Sequence, residues 1–81
     1  MTPEQCRAAR AWLNLTQADL AEDAGTALST VKDFEGARRV PIANNLAAIR
    51  TALEAKGIAF VDGDKSSGIT FTKLTVRARK Q

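Results

Sequence analysis

The residues best suited to chemistry lie between Gln17 and Arg39. Arg38 and Arg39 are adjacent, and two guanidinium forks in a row make either a solvated charged turn or a clamp for phosphate oxygens. Before them Lys32 and Asp33 set a donor beside an acceptor, and Ser29 falls on the same side as both if the segment is helical. Catalysis is not expected. The chain has no His and no Tyr, its single thiol is Cys6, and no carboxylate pair sits in a recognisable pocket pattern. Asp62, Asp64 and Ser66 take the first spacings of a calcium loop. The sixth position, where glycine belongs, is Ser67 and the twelfth is Lys73 rather than a bidentate Glu, so a solvated turn is the better reading. No metal or cofactor is expected.

The elements that position these groups follow from size and pattern. Eighty-one residues are enough for one domain with a thin core, because alanine supplies much of the apolar content and aromatic mass is limited to Trp12, Phe34, Phe60 and Phe71. Small scaffolds of this kind commonly gain stability by oligomerising. One cysteine allows no intrachain disulfide. No apolar run approaches the roughly 20 residues that cross a bilayer, and MTPEQCRAAR lacks the apolar segment of a signal peptide. A cytoplasmic location is the expectation. The net charge of +3 is unevenly placed: the chain to Gly57 is balanced, and the excess comes from Lys65, Lys73, Arg77, Arg79 and Lys80. Bulk basicity therefore proves nothing about nucleic acid, and the positions of Lys32, Arg38 and Arg39 matter more.

Thr2-Pro3-Glu4-Gln5 reads as a helix start with Gln5 reaching back to the cap, and helix 1 is expected from Pro3 to Leu13. Cys6, Ala9, Leu13 and Trp12 would turn inward, with Arg7 and Arg10 on the solvated side. Thr16 and Asp19 form a second capping pattern for helix 2, Gln17 to Ala24, whose exposed Asp19, Glu22 and Asp23 would repel phosphate. Gly25 suits a sharp turn. Helix 3 is expected from Leu28 to Glu35 or Gly36, with Thr26 or Ser29 substituting as its cap. Asn44 would cap helix 4, Asn45 to Lys56, closed by Gly57, with Leu46, Ile49 and Leu53 as its buried stripe. After Gly57 the period changes to two: Ile58-Ala59-Phe60-Val61, a turn-rich Asp62 to Gly68, then Ile69-Thr70-Phe71-Thr72 predict a β-hairpin. Leu74 and Val76 break the alternation, so a bulge or change of partner is expected near Lys73.

The stretch from Thr16 to Pro41 resembles the phage-repressor-like (Xre) helix-turn-helix family. The resemblance rests on Thr16, Gln17, Leu20, Ala21, Gly25, Val31, Phe34, Glu35 and Pro41. It extends through Leu53, with Trp12 and Leu13 before the motif and Asn45, Leu46 and Ile49 after it. Gly36-Ala37 reverses the family's more frequent order, in which glycine comes second. The hairpin also departs from the family, many members of which continue with a fifth helix.

The resemblance implies a mainly α fold, a four-helix lambda-repressor-like helix-turn-helix domain (residues 1–57); the period-two pattern adds the C-terminal β-hairpin (58–76), and a basic tail (77–81) follows. It implies base reading by Ala27, Leu28, Ser29, Lys32 and Asp33, and phosphate binding by Gln17, Thr26, Thr30, Arg38 and Arg39. Asp33 either accepts from a cytosine N4 or pairs with Lys32 or an arginine. Glu35 is expected to be structural, anchoring the loop or meeting an arginine. Dimerisation is assigned to Ile58, Phe60, Ile69, Phe71, Leu74 and Val76, because a lone hairpin is marginal and leaves an edge unpaired; the other reading is a hairpin that packs on helix 4 within its own chain. The expected function is a dimeric, sequence-specific transcriptional regulator on a pseudo-palindromic double-stranded operator; the resemblance implies a repressor, small members of the family often repressing their own promoter, and a regulatory protein partner is a further expectation. The alternative is a protein-interaction module, for instance an anti-activator, that keeps the fold without specific DNA binding.

Overall fold

A computed structural model describes residues 1–72 of the chain. Four helices, α1 (Pro3–Trp12), α2 (Gln17–Ala24), α3 (Leu28–Glu35) and α4 (Ala43–Glu54), precede an antiparallel hairpin of β1 (Ile58–Asp62) and β2 (Ser67–Phe71). The first two helices start as their sequences dictate. Thr2 and Gln5 form a reciprocal capping box, and Thr16 and Asp19 form another. The Thr16 N–H, with the Thr16 hydroxyl, holds the Asp19 carboxyl below its ordinary value of 3.8. Gly25 closes α2 in the left-handed region at φ 70°, and Thr26 N–H returns to the Ala21 carbonyl at 2.9 Å.

Three cap assignments are corrected, one of them at the end of α4: that helix stops at Glu54 with Ala55 as its C-cap, so Gly57 does not close it. α3 begins after Ala27 with no side-chain cap; the Thr26 hydroxyl turns to the Ala27 carbonyl instead, and Ser29 does not cap. α4 begins earlier than expected, at Ala43 after Ile42, so Asn44 lies inside its first turn and caps nothing. Ile42 is extended at ψ 154° and its carbonyl already accepts the Leu46 amide at 3.0 Å, so the first helical bond is made there and not at Asn44.

The core gathers one stripe from each element: Cys6 and Ala9, Leu20 and Ala21, Val31 and Phe34, Ile49 and Leu53, and Ile58 from the hairpin. The hairpin pairs Ile58 with Phe71 and Phe60 with Ile69, which puts all four on one face, turned toward the helices. β2 starts at Ser67, two residues earlier than the alternation suggested, because Asp62–Ser67 and Val61–Gly68 continue the ladder. The helical layer carries Gln5, which is 3% exposed. Its Nε2 donates to the Val61 carbonyl (3.1 Å), the Gly68 carbonyl (2.8 Å) and Asp62 Oδ1 (3.2 Å), tying both strands to the start of α1.

Trp12 is corrected outward. It is 64% exposed and meets Phe71 at 5.7 Å between ring centroids, tilted by 52°. Cys6, Ala9 and Leu13 occupy the core stripe of α1, so the indole, one position before Leu13, lies beside that stripe and covers the hairpin edge. No helix among the described residues is long and apolar enough to cross a membrane.

The reversed Gly36-Ala37 order has a structural consequence. Gly36 sits at an unstrained φ of −84°, whereas Ala37 takes φ 58°, the left-handed region that penalises a Cβ. Ala37→Gly is therefore expected to stabilise the fold by about 1 kcal/mol, a rise in Tm of about 4–8 °C, measurable by thermal denaturation.

Candidate nucleic-acid interface

α3 and the loop after it present one exposed surface, polar along α3 and mixed in the loop, where Val40 and Ile42 are exposed. Val31 and Phe34 bury one side of α3, and this turns Ser29 and Lys32 to solvent with Asp33 half-buried at the margin. Leu28 is 38% exposed at the start of the helix. Ala27 is exposed, while Thr26 and Thr30 are half-buried. With no side-chain cap, the Leu28 and Ser29 amides of α3 are open to an anion, while the Thr30 amide donates to the Ala27 carbonyl at 3.1 Å. Ser29, Thr30 and Asp33 form one wall of a groove whose other wall is Arg39, Val40, Pro41, Ile42 and Asn45. The five residues assigned to base reading and Arg38, Arg39 and Thr30 thus lie on or beside one exposed face.

The loop is held by the helix it leaves. The Arg38 and Arg39 amides both donate to the Asp33 carbonyl, at 2.8 and 3.3 Å. Asp33 Oδ1 also accepts from Arg38 Nε at 3.4 Å, so of the two roles open for Asp33, pairing with an arginine is present in the free protein. Arg39 and Lys32 pair with no carboxylate among the described residues.

What fixes the angle of α3 is a buried carboxylate. Glu35 is 3% exposed and receives Arg10 in a fork, Nε to Oε2 at 3.0 Å and Nη2 to Oε1 at 2.9 Å. Gln17 Nε2 adds a bond to Oε1 at 3.0 Å, and the Cys6 thiol donates to Oε2 at 3.2 Å. Arg7 Nη1 donates to the Glu35 carbonyl, and Arg10 Nη1 to the Leu15 carbonyl at 3.0 Å. α1, α2 and α3 therefore share one network. Burial pushes the Glu35 carboxyl up, but the Arg10 fork, Gln17 and Cys6 outweigh it, and the group is held below its ordinary 4.5. Burial, with the neighbouring Glu35 carboxylate, pushes the Cys6 thiol up to about 12, so it remains a protonated donor and not a nucleophile.

Several sequence assignments change here. Arg10 is not on a solvated face; it is the main partner of Glu35, and Arg7 reaches the same helix end. Gln17 commits one Nε2 hydrogen to Glu35 and keeps the other uncommitted. Of the six residues assigned to dimerisation, Ile58 is 3% exposed and belongs to its own chain's core. Phe60 and Ile69 also pack on that core, and Phe60 carries the Arg50 guanidinium 5.2 Å from its ring centroid. Phe71 remains 38% exposed, against Trp12. The hairpin buries this face because Gln5 and the helices supply what a second chain was expected to supply. Leu74 and Val76, the break near Lys73 and the tail 77–81 lie outside the described residues.

Sequence reasoning missed Arg10 and Cys6 as site-organising groups, although a signal was present. Glu35 follows Val31 by one helical turn, which puts a carboxylate on a buried stripe, and Arg10 follows Cys6 in the same way. No family model and no curated protein sequence matches this chain.

Proposed function

We propose that this protein is a sequence-specific DNA-binding transcriptional regulator of the helix-turn-helix type, with α2 and α3 as the motif and α3 as the helix that enters the major groove. The observation that carries the reading is the exposed face of Ser29, Lys32 and Asp33, flanked by the Arg38-Arg39 loop and set at a fixed angle by the Glu35 network. Ser29 donates or accepts at a base edge and Lys32 donates to guanine O6 and N7. Leu28 or Ala27 packs on a thymine methyl. Arg39, the Leu28 and Ser29 amides of α3, Thr26, Thr30 and the remaining Gln17 hydrogen meet phosphates and set register. Two chains would read half-sites about 34 Å apart on a pseudo-palindrome. The exposed Phe71 and Trp12 remain open for that association, Ile58 being occupied within its own core.

Fluorescence anisotropy on DNA from just upstream of the protein's own gene, against a scrambled duplex at equal near-physiological salt, tests this. The expected preference is about a thousandfold or more, with two chains per site. Lys32→Ala and Ser29→Ala are expected to relax preference at particular base pairs, and Arg39→Ala to weaken all duplexes and flatten the salt dependence. Equal, weak binding to a broad selection of duplexes would instead favour a protein-interaction module.

A further inference from the structure

Arg38 and Arg39 are neighbours in one loop but stand in different electrostatic positions. Arg38 folds back onto α3. Its Nε lies 3.4 Å from Asp33 Oδ1, and its guanidinium packs over Gly36, so that a Cβ added there would lie 3.6 Å from Arg38 Cζ. Arg39 has no carboxylate partner among the described residues and lines the groove opposite Ser29 and Asp33. Asp33 is the only carboxylate lining that groove, so it faces any ligand of the surface. An unpaired carboxylate facing a polyanion is unfavourable, and Arg38 is the donor at hand to neutralise it.

We propose that Asp33 decides when Arg38 reaches DNA phosphate, which makes Arg38 a contact of the cognate complex and not of the non-cognate one. This rests on the DNA-binding reading above. On a duplex that offers Asp33 no donor, the carboxylate keeps Arg38, the pair contributes no net charge, and only Arg39 grips the backbone. Where the groove presents a cytosine N4 amino group to Asp33, that donor replaces the guanidinium. Arg38 is then released to a phosphate oxygen and displaces a counterion. One acidic side chain thereby couples base recognition to backbone grip. It penalises wrong sequences twice, by a missing base contact and by a withheld phosphate contact.

The test is a salt titration of binding to a random-sequence duplex by the wild type, Arg38→Ala, Asp33→Asn and the double variant. The three variants are surface changes, and circular dichroism verifies their folding. Arg38→Ala is expected to leave the wild-type slope of log K against log salt nearly unchanged. Asp33→Asn is expected to steepen it by about 0.9, the effect of one added phosphate contact, and Arg38→Ala is expected to remove that gain in the Asp33→Asn background. Arg39→Ala flattens the slope in either background. If Arg38→Ala flattens the slope by the same amount with Asp33 and with Asn at that position, the charges act independently and the coupling is overturned while DNA binding stands. If none of the proteins binds any duplex even at low salt, the DNA-binding reading itself falls.

Discussion

Arg10→Ala is expected to cost about 3–5 kcal/mol, the penalty for removing one partner of a buried ion pair. Glu35 would stay behind at 3% exposure with only Gln17 and Cys6 as donors. A chain of this size has a total stability of roughly 4–12 kcal/mol, so the variant would be partly unfolded near room temperature, as urea denaturation would reveal. Glu35→Gln is expected to cost less, because an amide is cheaper to bury than a carboxylate, although its NH2 would face the Arg10 fork. The same network sets an acid limit. The Glu35 carboxyl titrates below 4.5 in the folded protein, so its stabilisation is fully present well above 4.5 and is lost as pH falls through the lowered folded value. In Glu35→Gln this part of the acid destabilisation should be missing. A pH–stability profile below pH 5 that is the same for both proteins would show that the fork contributes nothing. For function, any loosening here lets α3 tilt relative to α1 and α2. Specific DNA affinity should therefore fall in Glu35→Gln even where the protein remains folded.

Gly57→Ala is expected to be the most damaging change outside that network. Gly57 has φ 101°, and an added Cβ would collide with the Thr72 carbonyl oxygen while pressing the Phe71 ring at 3.2 Å. The Gly57 carbonyl also accepts the Thr72 amide at 2.8 Å, the bond that closes the hairpin against the end of α4. Backbone strain of this type costs about 1–3 kcal/mol, and the collision adds to it, since the obstacle is main chain and cannot rotate away. Gly25→Ala is the matched comparison. Its φ of 70° is also left-handed, but nothing lies within 4 Å of the new Cβ. It should lose only about 1 kcal/mol. Amide hydrogen exchange separates the two further: Gly57→Ala should release protection in β1 and β2 before the helices, whereas Gly25→Ala should lower protection throughout.

The two variants also bear on what the hairpin is for. A two-stranded hairpin is marginal alone, and this one is held by one glutamine Nε2 that donates to three hairpin acceptors, by Ile58 in the helical core, and by Phe71 against Trp12. The preference for a second chain over packing on helix 4 came from the unpaired strand edge and from counting apolar residues in a thin protomer. That count could not include Gln5, a polar residue whose cap assignment was correct but incomplete. One side-chain oxygen caps α1 while the nitrogen of the same amide binds the strands.

The local architecture was legible because local energetics write it. Capping boxes at Thr2 and Thr16, the turn at Gly25, the buried stripes of all four helices and the period-two pairing of Ile58, Phe60, Ile69 and Phe71 each depend on neighbours a few residues away. Within the candidate site, the outward face of Ser29 and Lys32 follows from the inward face of Val31 and Phe34, and was legible for that reason. Tertiary structure alone decided where the polar groups find their partners. Whether Arg10 meets solvent or Glu35, whether Asp33 is held by Lys32 or Arg38, and whether Trp12 enters the core or covers a strand depends on how three helices and a hairpin cross. A buried carboxylate announces that it needs a cation, but the cation lies on another element, at a distance in sequence that no helical period can measure.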